Sequence, residues 1–485
     1  MSDIAAIECR FATYSRSTEE GDYSDYHFIK EIIHRPDGTI EPNTRGIVNY
    51  KRPFWITKKG MQNHKDKKEW ELLENVNEFK STQSELTHSV AKALGTPWFK
   101  GNLKKLQASP YVYGTDISST AILKQYYSDK WEKRTKYSVA VFDTETDVLH
   151  GTGEIMMATV SYKTRLITVI QKKFLEGQSN PIERIRNLAD KILEKYIRER
   201  NIKIEIAIVD KEIDIVKLTM TKAHQWMPDF LAVWNIEFDM DKIIAACERA
   251  RVNIADILND PKVPPKYRHF KFKKGPAKKT TASGKVMSIP PAARWHTIIS
   301  PASFTWIDAM CTYKHTRIGE PEEPSYSLDA ILQLKANITK LKFEQAKELT
   351  GLEWHQFMQE KYPLEYVVYN MFDCISMEIL DEKTNDLSLS LPMFTGCSDF
   401  ADFKSQPKRT SDKLHFFCLR NGRVVGSVSE EMTNDLDDLT PSLDGWIVML
   451  QSYLVDDNGI CLVKENPHLR TNVRIGAVDL DVAGS

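Results

Sequence analysis

The stretch SVAVFDTET, residues 138–146, predicts a buried strand that ends in two acids. Its first five residues form a short apolar run of the kind found in β-strands. Because alternate residues of a strand share a face, the carboxylates of Asp143 and Glu145 point the same way, and Thr144 points to the other face. Buried like charges repel each other unless a cation neutralises them. The pair therefore indicates a cation site, although a solvent-facing turn after a strand has the same pattern.

The sequence on the C-terminal side of this strand alternates between strand and helix patterns. Residues 156–162, 166–170 and 230–234 resemble further strands, while residues 182–200 and 241–251 have the spacing of amphipathic helices. Strands that alternate with helices are typical of an α/β domain with a central mixed sheet.

Two further motifs carry acids. Asp239 ends the sequence NIEFD, residues 235–239, where the next predicted helix begins. Tyr369 and Asp373 lie four residues apart in a predicted helix, residues 365–385, and so share one face. Each motif has an ordinary structural alternative, in which Asp239 caps its helix and Tyr369 is packed while Asp373 is exposed. Acids that converge from separated segments can hold two divalent cations, the usual apparatus for cleaving a phosphodiester.

The order and spacing of these motifs resemble a known class of enzymes. Together they are similar to the DEDDy class of 3′–5′ exonucleases, and specifically to the proofreading domain of family B DNA polymerases. The sequences SYSLD, residues 325–329, and WID, residues 306–308, resemble the elements that precede the last motif. The spacing from Asn235 to Phe238 departs from many relatives, which carry one more residue, often Gly, before the Phe-Asp pair.

The resemblance implies the fold class and the domain order. We expect an α/β (α+β multidomain) chain whose ribonuclease H-like exonuclease domain has a central mixed sheet. The expected parts are an N-terminal accessory domain (1–135), the exonuclease domain (136–388), a segment that returns to pack on the N-terminal domain (389–450) and the start of a polymerase palm (451–485). The likeness is closest to bacteriophage replicative polymerases.

The resemblance also implies roles for individual residues around two Mg²⁺ or Mn²⁺ ions. Asp143 would bridge both ions, Glu145 and Asp373 would complete the first site, and Asp239 would support the second. Tyr369 would hydrogen-bond and orient the attacking water, which makes these five the candidate catalytic residues. A further candidate ligand, Asp481 in AVDLDVAGS, resembles the first metal-binding acid of a palm, although an ordinary strand has the same pattern.

The implied function is proofreading: removal of nucleotides from DNA 3′ ends by two-metal hydrolysis. The sequence has no recognisable fingers motif and no second palm motif. We therefore expect the N-terminal half of a split or truncated family B replicative polymerase, with a second polypeptide carrying palm, fingers and thumb. One alternative is a catalytically weak, DNA-binding scaffold that docks the polymerase half, against which the intact acidic set argues. Another is a stand-alone RNase of the same superfamily, against which the long N-terminal segment and the palm-like motif argue.

A basic segment offers candidate contacts to DNA. Residues 262–285 contain nine Lys or Arg and no acid, which is typical either of a solvated insertion or of a loop that touches phosphates. A single-stranded 3′ end melted from a primer–template also needs stacking partners, and Phe238 is a candidate, with a core position as its alternative. The candidate DNA-binding residues are Asn235, Phe238, Arg268, Lys271, Lys273 and Lys274.

Composition sets the remaining expectations. The net charge is −1, no apolar run approaches a membrane span, and the N-terminus lacks the pattern of a signal peptide. The seven cysteines are scattered and form no CxxC pair, which indicates reduced thiols and no zinc site. We expect a cytoplasmic protein (host cytoplasm if viral) with no membrane partner.

Overall fold

A computed structural model describes residues 4–427 of the chain, except for residues 66, 132, 282 and 283. Asp481 and the predicted start of a palm, residues 451–485, lie outside the described residues.

The chain divides into two compact units. The first comprises Met1–Tyr50, Ser118–Ala277 and Ile289–Lys413, and the second comprises Lys51–Ile117, Lys278–Ser288 and Leu414–Ser485. All five candidate catalytic residues belong to the first unit.

The strands of the described residues are β1 (Ala6–Arg16), β2 (Asp25–His34), β3 (Ile40–Val48), β4 (Arg52–Thr57), β5 (Trp70–Leu72), β6 (Val76–Ser81), β7 (Val112–Tyr113), β8 (Val139–Thr146), β9 (Ile155–Tyr162), β10 (Arg165–Gln171), β11 (Lys203–Val209), β12 (Phe230–Val233), β13 (Lys271–Lys273), β14 (Lys278–Thr280), β15 (Val286–Ser288), β16 (Thr297–Ile299), β17 (Thr305–Asp308) and β18 (Arg423–Val425).

The α-helices are α1 (Leu86–Ala93), α2 (Leu103–Gln107), α3 (Ser119–Lys130), α4 (Pro181–Ile192), α5 (Glu194–Arg200), α6 (Glu212–Trp226), α7 (Ile236–Ala250), α8 (Ile254–Leu258), α9 (Ala309–Thr316), α10 (Leu328–Ala336), α11 (Gly351–Lys361), α12 (Pro363–Thr384), α13 (Leu391–Thr395) and α14 (Gln406–Arg420). A π-helical turn at Asp386–Ser390 joins α12 to α13. Short 3₁₀ turns lie at Lys59–Met61, Leu73–Asn75, Lys172–Leu175, Pro265–Tyr267, Pro291–Ala293, Glu344–Ala346 and Phe400–Asp402.

A six-stranded mixed sheet forms the centre of the first unit, in the order β11-β10-β9-β8-β12-β17. Strand β9 runs antiparallel to β8 and β10, while the pairs β10–β11, β8–β12 and β12–β17 are parallel. The acid-bearing strand β8 therefore lies inside the sheet, where both of its edges are paired. This arrangement, with helices packed around it, confirms the predicted mixed α/β class.

Helices cover both faces of this sheet because strand alternation sends apolar side chains to each face. Phe142 packs in a core with residues of α6 and α7 such as Met220 and Met240. Its neighbour Val141 packs on the other face in a core that includes Cys374 of α12. The even and odd positions of β8 therefore meet different helices.

Helix α12 is the longest helix of the described residues, and its ends follow from its sequence. Pro363 occupies the first turn, where its missing N–H costs no hydrogen bond. Asn385 ends the helix in the left-handed conformation, with φ of 55°. Most side chains of this helix are buried, because the helix packs on the sheet and on α4, α10 and α11. The helix is consequently held at a fixed position over the end of β8.

The first fifty residues contribute a three-stranded antiparallel sheet, β1-β2-β3, to the same unit. The guanidinium of Arg10 on β1 donates hydrogen bonds to the carbonyl of Thr135 at 2.9 Å and to that of Lys136 at 3.1 Å. The Tyr137 hydroxyl donates to the carbonyl of Arg10 at 2.9 Å. These contacts fix the segment that leads into β8.

The second unit is smaller. Its main sheet is the three-stranded β6-β4-β7, against which α1 and α2 pack through a small apolar core. The unit also contains the pair β5–β18 and the hairpin β14–β15, whose first strand lies in the basic segment.

Several predicted elements have different bounds in the structure. The helix predicted at 182–200 is broken at Leu193 into α4 and α5, and the helix predicted at 241–251 begins five residues earlier, at Ile236. The basic segment, predicted as a loop or hairpin, contains strands β13 and β14, and β14 forms a hairpin with β15. Within the described residues, no helix has both the length and the hydrophobicity needed to cross a bilayer.

Candidate functional site

The end of β8 presents two carboxylates to α12. Asp143 and Glu145 share the face of Val141, and the amide Nδ2 of Asn370 donates to Asp143 Oδ2 at 2.7 Å. The hydroxyl of Tyr366 donates to Glu145 Oε2 at 2.5 Å. The pair is therefore held against a helix and is only partly exposed, which excludes the alternative of a solvent-facing turn.

One face of α12 meets this strand end. Tyr366 lies three and four residues before Tyr369 and Asn370, and Asp373 lies four and three residues after them, as on one side of a helix. Tyr369 is 7% exposed and Asp373 is 6% exposed. The alternative in which Asp373 faces solvent is therefore wrong.

Asp239 approaches from the opposite face of the sheet, in the first turn of α7. Its Oδ1 accepts hydrogen bonds from the backbone N–H of Thr144 at 3.0 Å and from the Thr144 hydroxyl at 2.6 Å. Asn235 occupies the N-cap position, so the alternative of Asp239 as the helix cap is wrong. Thr144 points to the other face from its acidic neighbours, as strand alternation predicts, and this orientation brings it to Asp239.

Three of the acids form a group that could hold a metal ion. One carboxylate oxygen from each of Asp143, Glu145 and Asp373 lies within 4.8 Å of the other two. The buried Oδ1 of Asp373 has no hydrogen-bond partner among the described residues, as expected for an oxygen that binds a metal ion. The donors are all carboxylate oxygens, which suit Mg²⁺ or Mn²⁺ better than softer metals. The residues present therefore fit such an ion.

A lysine absent from the predicted site completes the cluster. Lys340 Nζ lies 2.9 Å from the Tyr369 hydroxyl and 2.5 Å from Asp373 Oδ2. Its backbone N–H donates to Asp329 Oδ1 at 2.7 Å, so the SYSLD element fixes the loop that carries it. Four ionised carboxylates and this single ammonium would leave a net charge of −3. Such a charge requires protons or bound cations to neutralise it.

The pKa values of the acids reflect this crowding. Burial, followed by the charges of Asp239 and Glu145, holds the pKa of Asp143 well above its ordinary value. Burial raises the pKa of Glu145 to about 8 and that of Asp239 to about 6. Asp239 thus contributes to the raised pKa of Asp143, although it is not part of the three-acid group. Without cations, Glu145 therefore holds a proton at neutral pH.

Lys340 and Tyr369 remain protonated beside these acids. Burial lowers the pKa of Lys340, but the carboxylate of Asp373 and the hydroxyl of Tyr369 outweigh it and hold that pKa above its ordinary value. Burial and then the charge of Asp373 raise the pKa of Tyr369. The tyrosine therefore keeps its O–H, which can take part in hydrogen bonds to a water or substrate oxygen.

Aromatic side chains line the same face of α12. The rings of Tyr366 and Tyr369 stack at 5.9 Å, and the ring of Trp354 on α11 lies 4.8 Å from that of Tyr369. Nδ1 of His355 lies 2.8 Å from the Tyr366 hydroxyl. These contacts restrict both tyrosines and, through Tyr366, the position of Glu145.

The candidate DNA-binding residues differ in their availability. Phe238 on α7 is 46% exposed, which excludes its core alternative, and Asn235 is the partly buried residue that precedes the helix. Arg268 donates to the carbonyls of Val263 and Pro261 and pairs with an acid.

The three lysines of the basic segment are not equivalent. Lys274 pairs with Asp241 at 2.6 Å, so its charge is already compensated. Lys271 and Lys273 on β13 are exposed and flank Phe272, which packs against the core. Of the predicted basic contacts, Lys271 and Lys273 are therefore the most accessible to a phosphate backbone.

Sequence reasoning missed several residues of this site. Tyr366 and Asn370 follow the same helical spacing as Tyr369 and Asp373, so a helical projection of residues 363–384 could have found them. Lys340 lies in an irregular segment, and no local pattern marks it.

No protein-family model matches the chain, and no curated protein matches it at a significant level.

Metal-free protein is expected to lose stability as the pH rises. The folded-state pKa values of Glu145 and Asp239, about 8 and about 6, lie above those of an unfolded chain, which are near 4. A carboxyl group whose pKa is higher in the folded than in the unfolded chain binds its proton more tightly when folded. Its contribution to stability is complete below the unfolded pKa, near 4, and is lost as the pH rises to the folded pKa of Glu145, about 8. In EDTA, the unfolding temperature of wild type should fall between pH 5.5 and pH 8. This fall should be larger than that of the variant Asp143→Asn/Glu145→Gln by roughly 5 °C.

Differential scanning fluorimetry measures this difference. Adding Mg²⁺ at pH 8 should raise the unfolding temperature of wild type and leave that of the double variant unchanged. Equal pH slopes for the two proteins, together with no response to Mg²⁺ or Mn²⁺, would contradict a cation site at these acids.

Proposed function

We propose that this chain is a metal-dependent 3′–5′ exonuclease of the ribonuclease H-like type that removes nucleotides from DNA 3′ ends. The observation that carries the proposal is that carboxylate oxygens of Asp143, Glu145 and Asp373 lie within 4.8 Å of one another. The hydroxyl of Tyr369 shares Lys340 as a neighbour with Asp373. The mixed sheet, with the first two acids at the end of an interior strand, supports the ribonuclease H-like part.

The proposed chemistry assigns each group a task. Asp143, Glu145 and Asp373 would hold one divalent ion, and Asp239 with Asp143 would hold a second. Bound Mg²⁺ or Mn²⁺ supplies an activated water and neutralises the charge that develops at phosphorus and on the leaving oxygen. The hydroxyl of Tyr369 positions a water. Lys340 Nζ, which donates a hydrogen bond to this hydroxyl at 2.9 Å, fixes its orientation. The lysine also offsets negative charge where a phosphate would enter.

Supporting groups keep these acids in place. Asn370 donates to Asp143, and its own Oδ1 accepts a hydrogen bond from the Thr159 hydroxyl at 2.5 Å. Thr159 in turn contacts Thr168 on β10 at 2.8 Å. The carboxylate is thereby oriented from within the sheet, which preserves the geometry that metal ligands require.

We further propose that the exonuclease edits for a family B DNA polymerase of the bacteriophage type, in the cytoplasm. The order of the three acidic motifs and the SYSLD element support this assignment. The substrate would be a single-stranded 3′ end released from a primer–template, and a polypeptide with palm, fingers and thumb would be the partner. Co-purification of a polymerase subunit with the tagged chain would test the partnership.

The test of the enzymatic proposal is digestion of DNA labelled at its 5′ end, with and without Mg²⁺. A ladder that shortens from the 3′ end and stops when EDTA is added is the expected result. An oligonucleotide that is bound but remains uncut both with and without Mg²⁺ would favour the DNA-binding scaffold. Equal or faster digestion of an RNA oligonucleotide would favour a stand-alone RNase.

Reversing the charges of Lys271 and Lys273 is expected to weaken binding of single-stranded DNA. Lys271→Glu/Lys273→Glu removes two exposed cations from β13 while Phe272 keeps its packing. Each lost phosphate contact should flatten the slope of log K against log salt by about 0.7, so two contacts should flatten it by about 1.4. Fluorescence anisotropy over a salt series measures both quantities.

A matched control reverses two exposed lysines elsewhere in the first unit. Lys211→Glu/Lys217→Glu changes the net charge equally around the start of α6. An unchanged salt slope in the β13 variant, or the same change in both variants, would remove this strand from the DNA-binding surface.

A further inference from the structure

The first compact unit contains a cavity of about 330 Å³ that is separate from the acidic site. Its walls come from β1, α3, residue 131, residues 133–137 and residues 388–397. Aromatic rings of Tyr127, Trp131 and Tyr137 contribute much of the lining, and none of the acidic-site residues takes part. The proposed nuclease chemistry makes no use of this space.

The two buried charged groups in the walls, Glu8 and Lys124, already have partners. Glu8 accepts hydrogen bonds from the backbone N–H of Thr135 at 2.7 Å and from its hydroxyl at 2.8 Å, and its Oε2 lies 2.9 Å from His34 Nε2. The buried ammonium of Lys124 donates to the carbonyl of Ser398 at 2.8 Å. A ligand inside the cavity would consequently meet mainly apolar and aromatic surface.

The mouth of the cavity combines exposed apolar side chains with positive charge. Leu389 is 44% exposed and Met393 is 59% exposed, although both line the cavity. The exposed Lys133 and Arg134 also line it. In sequence, residues 130–136 carry four cations and one acid, a net charge of +3. Exposed apolar side chains grouped at a concave surface are typical of interaction sites.

We propose that this cavity docks an acidic segment of a partner protein, with one aromatic or aliphatic anchor side chain in the cavity. The volume lies near the lower limit of ligand sites and suits a single large anchor. Flanking Asp and Glu residues of the partner meet the exposed Lys133 and Arg134, which steers binding and fixes the orientation of the segment. The flexible side chain of Met393 adapts to the shape of the anchor.

The same observations disfavour a nucleotide in this cavity. A nucleobase needs polar partners for its edges, and its phosphate needs donors inside the site. Here the interior ammonium of Lys124 is already bonded to a carbonyl, and the carboxylate of Glu8 would repel a phosphate.

The test uses the full chain and a fluorescein-labelled peptide with a central Leu-Trp-Leu flanked by four aspartates on each side. Fluorescence anisotropy should show saturable binding that weakens with salt. A peptide with serine in place of the central tryptophan should bind at least tenfold more weakly. In the protein, Lys133→Glu/Arg134→Glu should weaken binding about tenfold and flatten the salt dependence. Met393→Asp should weaken it at least tenfold, because it removes an apolar contact and repels the aspartates of the peptide.

Three outcomes would overturn the proposal. Equal binding of the serine peptide would show that no anchor enters the cavity. Displacement of the peptide by guanosine monophosphate or oligo(dT) would identify the site as one for nucleotides. Self-association in sedimentation that Met393→Asp abolishes would identify a second copy of the chain as the occupant. Unfolding temperature and nuclease rate, measured for each variant, exclude misfolding, and Met393→Ser replaces the aspartate variant if its fold is impaired.

Discussion

Replacing Asp143 by alanine is expected to reduce the rate of 3′-end removal by on the order of a thousandfold. Asp143 stands at the centre of the acids: it belongs to the three-acid group, and its pKa responds to the charges of Asp239, Glu145 and Asp373. Loss of its carboxylate removes the one ligand that both proposed cations would share. Single-turnover digestion of labelled DNA in Mg²⁺ measures the effect without interference from product release.

The same variant is expected to leave the metal-free fold intact. Removing a buried carboxylate relieves repulsion among the remaining acids, so the unfolding temperature in EDTA should be equal to or above that of wild type. The matched control is Asp241→Asn, which changes an exposed acid of α7 two residues from Asp239. A rate for Asp143→Ala within a few fold of that for Asp241→Asn would exclude the proposed site.

Replacing Lys340 by methionine is expected to separate metal affinity from catalytic rate. The change removes the ammonium that bonds Tyr369 and Asp373 but keeps the length of the side chain. The digestion rate should fall by on the order of a hundredfold, because the orientation of Tyr369 and the compensation of phosphate charge are both lost. The Mg²⁺ concentration needed for half-maximal rate should fall as well, because Asp373 no longer pairs with a competing cation.

Lys342→Met is the matched control for this prediction. Lys342 lies two residues further along the same segment and is exposed. A variant that merely loosened the fold would lower the rate and weaken Mg²⁺ binding together. That outcome, or a wild-type rate for Lys340→Met, would remove Lys340 from the proposed mechanism.

The parts of the site that follow local periodicity could be predicted from the sequence. Strand alternation placed Asp143 and Glu145 on one face and Thr144 on the other, and helical spacing placed Tyr369 and Asp373 together. The mixed sheet followed from the alternation of strand and helix patterns. These features depend on neighbours a few residues apart, which the sequence shows directly.

The parts that depend on tertiary contacts could not be predicted. Lys340 reaches the acids because Asp329 holds the backbone of its loop, and no pattern within the loop encodes that bond. Asp239 resembled a helix cap because the start of α7 lies earlier than its apolar spacing indicated. Its actual role as acceptor for Thr144 requires the packing of α7 on β8, which joins residues 95 positions apart.

The distance along the chain between the acids has a consequence for the protein during its synthesis. Asn370 and Asp143, which are bonded in the folded unit, are separated by 227 positions. The ribosome must therefore synthesise α12 before the side chains of this helix can pack beside the acids at the end of β8. A nascent or partly folded chain cannot assemble the three-acid group, so the proposed hydrolytic activity would appear only after the whole unit has folded.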